Sequence, residues 1–501
     1  MEKKEREKKE GREGKIGEEV QRERRQLVLA TARSSVIELE LEVGDEGKVD
    51  GQRFLVMMSN CSNQKARNRM DKSKDHVCID FDEQAESLIG KFQTLPPLSK
   101  DCCIYQVPPK IRMLNETLYT PKMVSIGPLH HGREELKPMQ EHKLRYLQQF
   151  LQRTCVSTKD FLKFIKDKET DLRNCYAETI RFGSEEFVEI ILLDAVFLIE
   201  MFLRSIPEFQ SLDRIFTKPG KIKDIVLDIV LLENQLPIFV LQDLFNLAKP
   251  ALPKRYNGYS LSQFIRVFFE YFNICQALSI NETLIDSYFS KAKHFVDLLR
   301  LCLQPPKHDV AERQPDSEAV PNVTKLHQAG VKFKVVGSKN LLDITFNKGT
   351  LDIPKLTIGN MTIHLLRNLQ IYEGLHCDAL PSDTNYMNDY NVILNRLLSS
   401  SKDVELLIHM GVIDNLILDS EGVSTLFGEL SKDATVNHSN FYYLGLVNDL
   451  RNYCKSPCHK WKANLKQKYF NTPWASISVI AAVIILVLTF IQAVCSVLGL
   501  H

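Results

Sequence analysis

KDIVLDIVLLENQLPIFVLQDLFNLA, residues 223–248, is apolar on almost every helical face and reads as helix inside a helical body. Asp228 and Glu233 interrupt it, so the run is too charged to be a membrane span. Pro237 has no N–H and pushes Leu236 away from the α region, which predicts a kink or break near residues 235–237. A second run of the same kind, FVEIILLDAVFLIEMFL at 187–203, carries Asp194 and Glu200. A carboxylate buried without a partner is costly, so all four need ion pairs or exposure.

Moving upstream, PMQEHKLRYLQQFLQR (138–153) opens on a proline suited to a first helical position. Its expected buried stripe is Met139, Leu144, Leu147, Phe150 and Leu151. Before it lies CCIYQVPPKIRMLNETLYTPKMVSIGPLHHG (102–132), whose prolines at 108, 109, 121 and 128 leave little room for helix. It reads as an ordered, extended segment packed on the helical body. Phe81, Ala85, Leu88, Ile89 and Phe92 recur at helical spacing, and Leu95-Pro96-Pro97 ends that helix.

Downstream, Tyr259–Gln276 and Thr283–Leu303 read as amphipathic helices, and QPPKHDVAERQPDSEAVP (304–321) as a linker or surface loop. Phe333–Val336, Leu341–Phe346 and Leu351–Leu356 around Asn347-Lys348-Gly349 suggest a small β-meander. Helices resume from Thr362, with Tyr390–Leu398, Val404–Met410 capped by Gly411, and Tyr442–Tyr453 the clearest. The expected fold is mainly α. A helical first part (79–303) precedes a β-meander and helical second part (322–465), with a charged, disordered extension over 1–78.

The chain ends in WASISVIAAVIILVLTFIQAVCSVLGL, residues 474–500, which contains no charge. At helical rise it reaches roughly 40 Å, enough to cross a bilayer core of about 30 Å. Arg451, Lys455, Lys460, Lys462, Lys466 and Lys468 precede it and only His501 follows, so the positive-inside rule places the body in the cytosol. The first residues, MEKKEREKKEGREGK, lack the apolar core of a signal peptide, and the expected arrangement is a tail anchor. Asn-x-Ser/Thr sequons at Asn60, Asn115, Asn281, Asn322, Asn360 and Asn437 matter only in the alternative, a lumenal or extracellular body.

Lys+Arg 64 against Asp+Glu 63 leaves a net charge of +1, which offers no footprint for nucleic acid. The twelve cysteines are scattered, as in a reducing compartment. Cys454, Cys458 and His459 have no second ligand pair at finger-like spacing, so no zinc is expected. Glu373-Gly374-Leu375-His376 is a single Glu-x-x-His, where a di-iron bundle needs two. His130 and His131, in IGPLHHG, can be read as a structural turn or as a proton-transfer site. Phosphate-binding, nucleophile-elbow and zinc-protease motifs do not occur. No catalytic, cofactor-binding or metal-binding residue is therefore assigned.

Several blocks resemble, in order, a plant family known as domain of unknown function 247. They include Ile104–Pro108, Tyr119–Pro128 with His130-His131-Gly132, and Glu141–Phe150 with Lys143 and Tyr146. Asp194–Glu200 is similar to a further block, with Ala195 where the family usually has glycine. Asp228–Pro237, Leu342–Ile344 with Phe346, Asn368-Leu369 with Tyr372-Glu373, and Tyr469–Trp474 complete the set. The resemblance spans roughly residues 79–495. It implies a plant protein, mainly helical, usually attached to a membrane through one C-terminal helix, with no established catalytic residue. Some members are linked to cell recognition. The expected function is a non-enzymatic, membrane-tethered interaction or recognition protein with a protein partner. The alternative is an enzyme of unknown class with its site near His130/His131 and Asp228–Glu233.

Overall fold

The run at 187–203 folds as expected, within one helix, and is buried along nearly its whole length. The computed structural model describes residues 81–93, 99–154, 156–210, 213–256, 258–305, 320–376, 385–435, 441–456, 473–497 and 499. Two units are separable, residues 1–93 and 94–501. Within the first, α1 (Phe81–Gln93) is described, and Leu88 and Ile89 on it are about half exposed. The expectation for 1–78 lies outside the described residues, as does most of the 304–321 linker.

In the second unit, α2 (Pro138–Thr154), α3 (Thr158–Asp167), α6 (Ile238–Ala248) and α7 (Leu261–Tyr271) all pack on α4 (Ser184–Leu203). Phe202 of α4 meets Phe268 and Phe295 edge-to-face at centroid distances of 5.1 and 5.4 Å, a favoured aromatic geometry. Helix α5 (Pro219–Ile229) precedes α6, and α8 (Phe295–Leu303) leads across to α9 (Asn360–Leu375). Against α9 rests α10 (Tyr386–Leu397), which packs on α12 (Ser420–Lys432) together with α11 (Ser401–His409). Helix α13 (Leu444–Lys455) borders the sheet, and α14 (Pro473–Val497) closes the described chain. One continuous apolar core runs from Val107 to Leu450, so both halves of the body share it.

The region 223–248 breaks instead of kinking, and earlier than Pro237 alone predicts. Helix α5 stops at Ile229, and α6 begins after Pro237. Gln235 explains the gap: its Nε2 donates to the carbonyls of Ile229 and Leu231, both at 2.7 Å, replacing helical partners lost at the end of α5. The helix expected over 283–303 is likewise two, Thr283–Tyr288 and α8. His294 caps α8 by accepting from the Asp297 N–H, and the Lys293 carbonyl accepts from Ile238 at the start of α6. On α2 the buried stripe runs through Met139, Lys143, Tyr146 and Phe150, while Leu144 faces solvent.

The β-rich stretch is present with a different connectivity. Strands β1 (Lys332–Val336), β2 (Thr345–Asn347) and β3 (Thr350–Pro354) form a sheet in the order β1-β3-β2. β1 pairs with β3 in parallel, which a meander cannot do. β4 (Leu356–Ile358) leaves that sheet to pair with β5 (Ile413–Asn415). Lys348 and Gly349 both take positive φ at the β2–β3 turn, as expected for Asn-Lys-Gly, and Gly411 takes +74° after α11.

Candidate functional site

Residues 101–136 cross the body as an irregular strap, and its prolines and bends leave backbone groups without regular partners. Those groups are satisfied by polar side chains projecting from the apolar helices beneath. Asp228, in the last turn of α5, accepts from the N–H groups of Lys122 (2.9 Å), Met123 (2.6 Å) and Val124 (2.9 Å). Asn234 accepts from Ile126 N at 2.6 Å and donates to Val124 O at 2.9 Å. From α4, Asp194 accepts from Gly127 N at 2.8 Å and pairs with Lys143, whose ammonium also donates to Ser125 O at 2.6 Å.

Glu233 closes the other end. One oxygen accepts from Val107 N at 2.5 Å and from the Arg112 guanidinium; the second lies 2.8 Å from His130 Nε2. Asn368 of α9 accepts from Leu232 N and donates to Leu118 O, so the strap is tied to both halves of the core. Glu200 stands apart, paired with Arg153 and Arg204. Burial pushes the Asp228 carboxyl up to about 6, against three N–H groups that favour its charge. Burial also raises Asp194, opposed by Lys143.

Gly127 is where the strap comes closest to the body. Its φ is +75°, and a Cβ there would lie 2.8 Å from both Gln235 O and Tyr176 Oη. Gly127→Ala is therefore expected to cost about 2–4 kcal/mol, from backbone strain plus a contact that cannot relax freely. Equilibrium denaturation would show it as a lower midpoint with an unchanged slope.

The structure thus brings His130 and the Asp228–Glu233 block together and leaves His131 outside the cluster. His131 lies edge-on to Phe182 at 5.5 Å, and burial lowers its pKa. His130 and Glu233 have the form of an acid–base dyad, but they are 6% and 2% exposed, and both Glu233 oxygens already have partners. A catalytic base must come within about 3 Å of a substrate proton. In this arrangement Glu233 holds the Val107 backbone, the Arg112 side chain and His130 together.

Glu373 and His376 diverge as well. His376 Nδ1 lies 2.5 Å from Tyr105 Oη, whereas Glu373 accepts from the N–H groups of Met387 (2.9 Å) and Asn388 (3.1 Å) at the start of α10. Among the described residues no group of three or more His, Cys, Asp or Glu is placed to hold a metal ion. Cys454 is half-buried, and Cys458 and His459 lie outside the described residues.

Burial pushes the Glu373 carboxyl up to about 7 from 4.5. The folded protein keeps this proton after the unfolded chain has lost it. The resulting stabilisation is complete below about pH 4.5 and is lost as pH rises through 7. Glu373→Gln mimics the protonated form, so its melting temperature relative to the parent is expected to rise between pH 5 and 8. A constant difference across that range would remove Glu373 as the titrating group.

Asp194, Asp228 and Glu233 were singled out from the sequence as carboxylates needing partners, whereas Lys143, Asn234, Gln235 and Asn368, which complete the frame, entered only within family-like blocks and without a role. The signal was available in part: three consecutive polar residues, Glu233-Asn234-Gln235, sit inside an apolar run where helix alone gives them no use.

Above the frame, Met113 and Leu114 project from the strap, 86% and 61% exposed. At the C-terminus, Ile477–Val497 is the one helix among the described residues long and apolar enough to cross a membrane.

A family model for plant proteins of unknown function, DUF247, matches residues 104–488. The chain is 28% identical to UPF0481 protein At3g47200 of Arabidopsis thaliana over 436 residues, covering 80% of this chain and 87% of the relative. It is 23% identical to putative UPF0481 protein At3g02645 of the same plant over 499 residues, covering 78% and 89%. No solved structure matches it.

Proposed function

This chain belongs to DUF247, a plant family of unknown function, and from that premise we propose that it is a non-enzymatic interaction or cell-recognition protein held to a membrane by its last helix. The observation that carries this is the use made of the buried polar groups. Asp194, Asp228, Glu233 and His130 are committed to fixing one irregular segment, buried where they hold it and exposed at Met113 and Leu114. A rigidly supported irregular segment is a common way to present a binding surface. Its tip offers a protein partner the adjacent apolar side chains Met113 and Leu114.

The anchor is α14, which displays Ile, Val, Leu and Phe on all sides and carries no charge. Such a surface is stable in lipid, where the helix also satisfies its own backbone groups. Trp474, 80% exposed at its start, suits the membrane interface. The basic residues before the span favour a cytosolic body.

The test is quantitative co-purification from native membranes with the parent chain and the double variant Met113→Glu/Leu114→Glu. A defined partner retained by the parent and lost at least tenfold with the variant, while the variant stays folded and membrane-bound, is the expected result. Equal recovery would remove the strap tip as the recognition surface. Protease protection of sealed membranes checks orientation: the body should be digested from the cytosolic side and carry no glycans.

A further inference from the structure

Cys103 and Cys175 were left unused by both the frame and the anchor. They are 72 positions apart in sequence yet adjacent in space. Cys103 N and Ile104 N both donate to Cys175 O at 2.9 Å, and Ile104 pairs with Tyr176 as an isolated parallel bridge. With Ile104 and Tyr176 the two cysteines form a small apolar cluster separate from the main core. A direct backbone hydrogen bond holds two Cα atoms roughly 5–6 Å apart, inside the window of about 4.4–6.8 Å that a disulfide requires.

Both cysteines also line a cavity of about 250 Å³ shared with Asp101, Asp171, Lys291 and Lys293. Lys291 and Lys293 are exposed at this cavity, so it is a route by which a small charged disulfide can approach. Two buried thiols that are neighbours and also reachable differ from Cys275 and Cys302, which are buried in the main core.

We infer that Cys103 and Cys175 are a reversible dithiol–disulfide pair, oxidised by a low-molecular-weight disulfide of the glutathione class entering through this cavity. Cys175 is the attacking sulfur. It is the more exposed of the two; its thiol donates to Asp171 O at 3.3 Å, and the neighbouring Cys103 thiol lowers its pKa, aided by Lys293. After losing its proton to solvent, the Cys175 sulfur attacks one sulfur of glutathione disulfide. That S–S bond breaks, and a glutathione thiolate leaves and takes up a proton. Cys103 then loses its proton, and its sulfur attacks the Cys175 sulfur of the mixed disulfide, expelling the second glutathione. Two cysteine thiols are oxidised to one disulfide, one glutathione disulfide is reduced to two thiols, and two protons pass to them. The bond joins the first residues of the strap covalently to the end of the 169–174 helix. The chemistry is the same on either face of a membrane; the compartment's redox poise sets which form dominates.

The test uses the full chain in detergent, equilibrated across mixtures of reduced and oxidised glutathione, acid-quenched, alkylated and mapped without reduction. A linked Cys103–Cys175 peptide pair should grow with oxidised glutathione and disappear on adding a dithiol reductant, with Cys275 and Cys302 remaining alkylatable. In Cys103→Ser, checked for native helix content, Cys175 should be trapped as its glutathione adduct. Both cysteines free at full oxidation, or Cys175 linked to Cys102, would overturn the assignment. The parent map needs no variant, so it stands even if Cys103→Ser fails to fold.

Discussion

Lys143→Met is expected to destabilise the protein by about 3–5 kcal/mol, the usual cost of leaving one member of a buried ion pair behind. Lys143 is 0% exposed, and its ammonium joins Asp194 to the Ser125 carbonyl. Without it, Asp194 retains the Gly127 N–H as its partner on the strap. Burial already disfavours the Asp194 charge, so in the variant that carboxyl should hold its proton more readily than in the parent. The loss should therefore grow as pH rises. Lys143→Met/Asp194→Leu should recover part of it, because an apolar pair removes both charges. Recovery cannot be complete, since Gly127 N and Ser125 O then lack partners. Urea denaturation of the four proteins of this cycle measures the coupling directly.

Asp228→Ala should cost about 2–4 kcal/mol. It strips three consecutive backbone N–H groups of their acceptor; Val124 is buried, whereas Lys122 is exposed and can turn to water. Asp228→Asn keeps one acceptor oxygen and should cost less, about 1–2 kcal/mol. Because the damage is local to the strap that carries Met113 and Leu114, it should weaken partner capture more than an equally destabilising core change such as Leu298→Ala. A recognition surface elsewhere on the body would make the two equally harmful.

Much of the body was legible because apolar periodicity marks helices whatever they pack against. Pro138, Gly411 and the run 187–203 fell where expected for that reason. The errors share a cause: long-range partners that local sequence does not display. Lys143 was not part of the expected apolar stripe, because its partner Asp194 lies on another helix; their pairing displaces that stripe and leaves Leu144 in solvent. The 283–303 helix was expected to be continuous because nothing nearby shows that the Lys293 carbonyl is needed by Ile238. The parallel β1–β3 pairing was equally invisible, since strand alternation gives existence and not order. Of the candidate site, the carboxylates and the His130–Glu233 neighbourhood were legible. Their role was not, because the same residues at the same spacing serve a dyad or a backbone clamp.

Buried side chains hold the strap in one conformation, and amide hydrogen exchange of the parent chain tests this most directly. Val107, Val124, Ile126 and Gly127 are bonded to Glu233, Asp228, Asn234 and Asp194. Their amides should exchange as slowly as those of α4 and α9, and that of Val124 should speed up selectively in Asp228→Ala. Exchange at those four positions as fast as in an unstructured surface loop, while α4 stays protected, would contradict it.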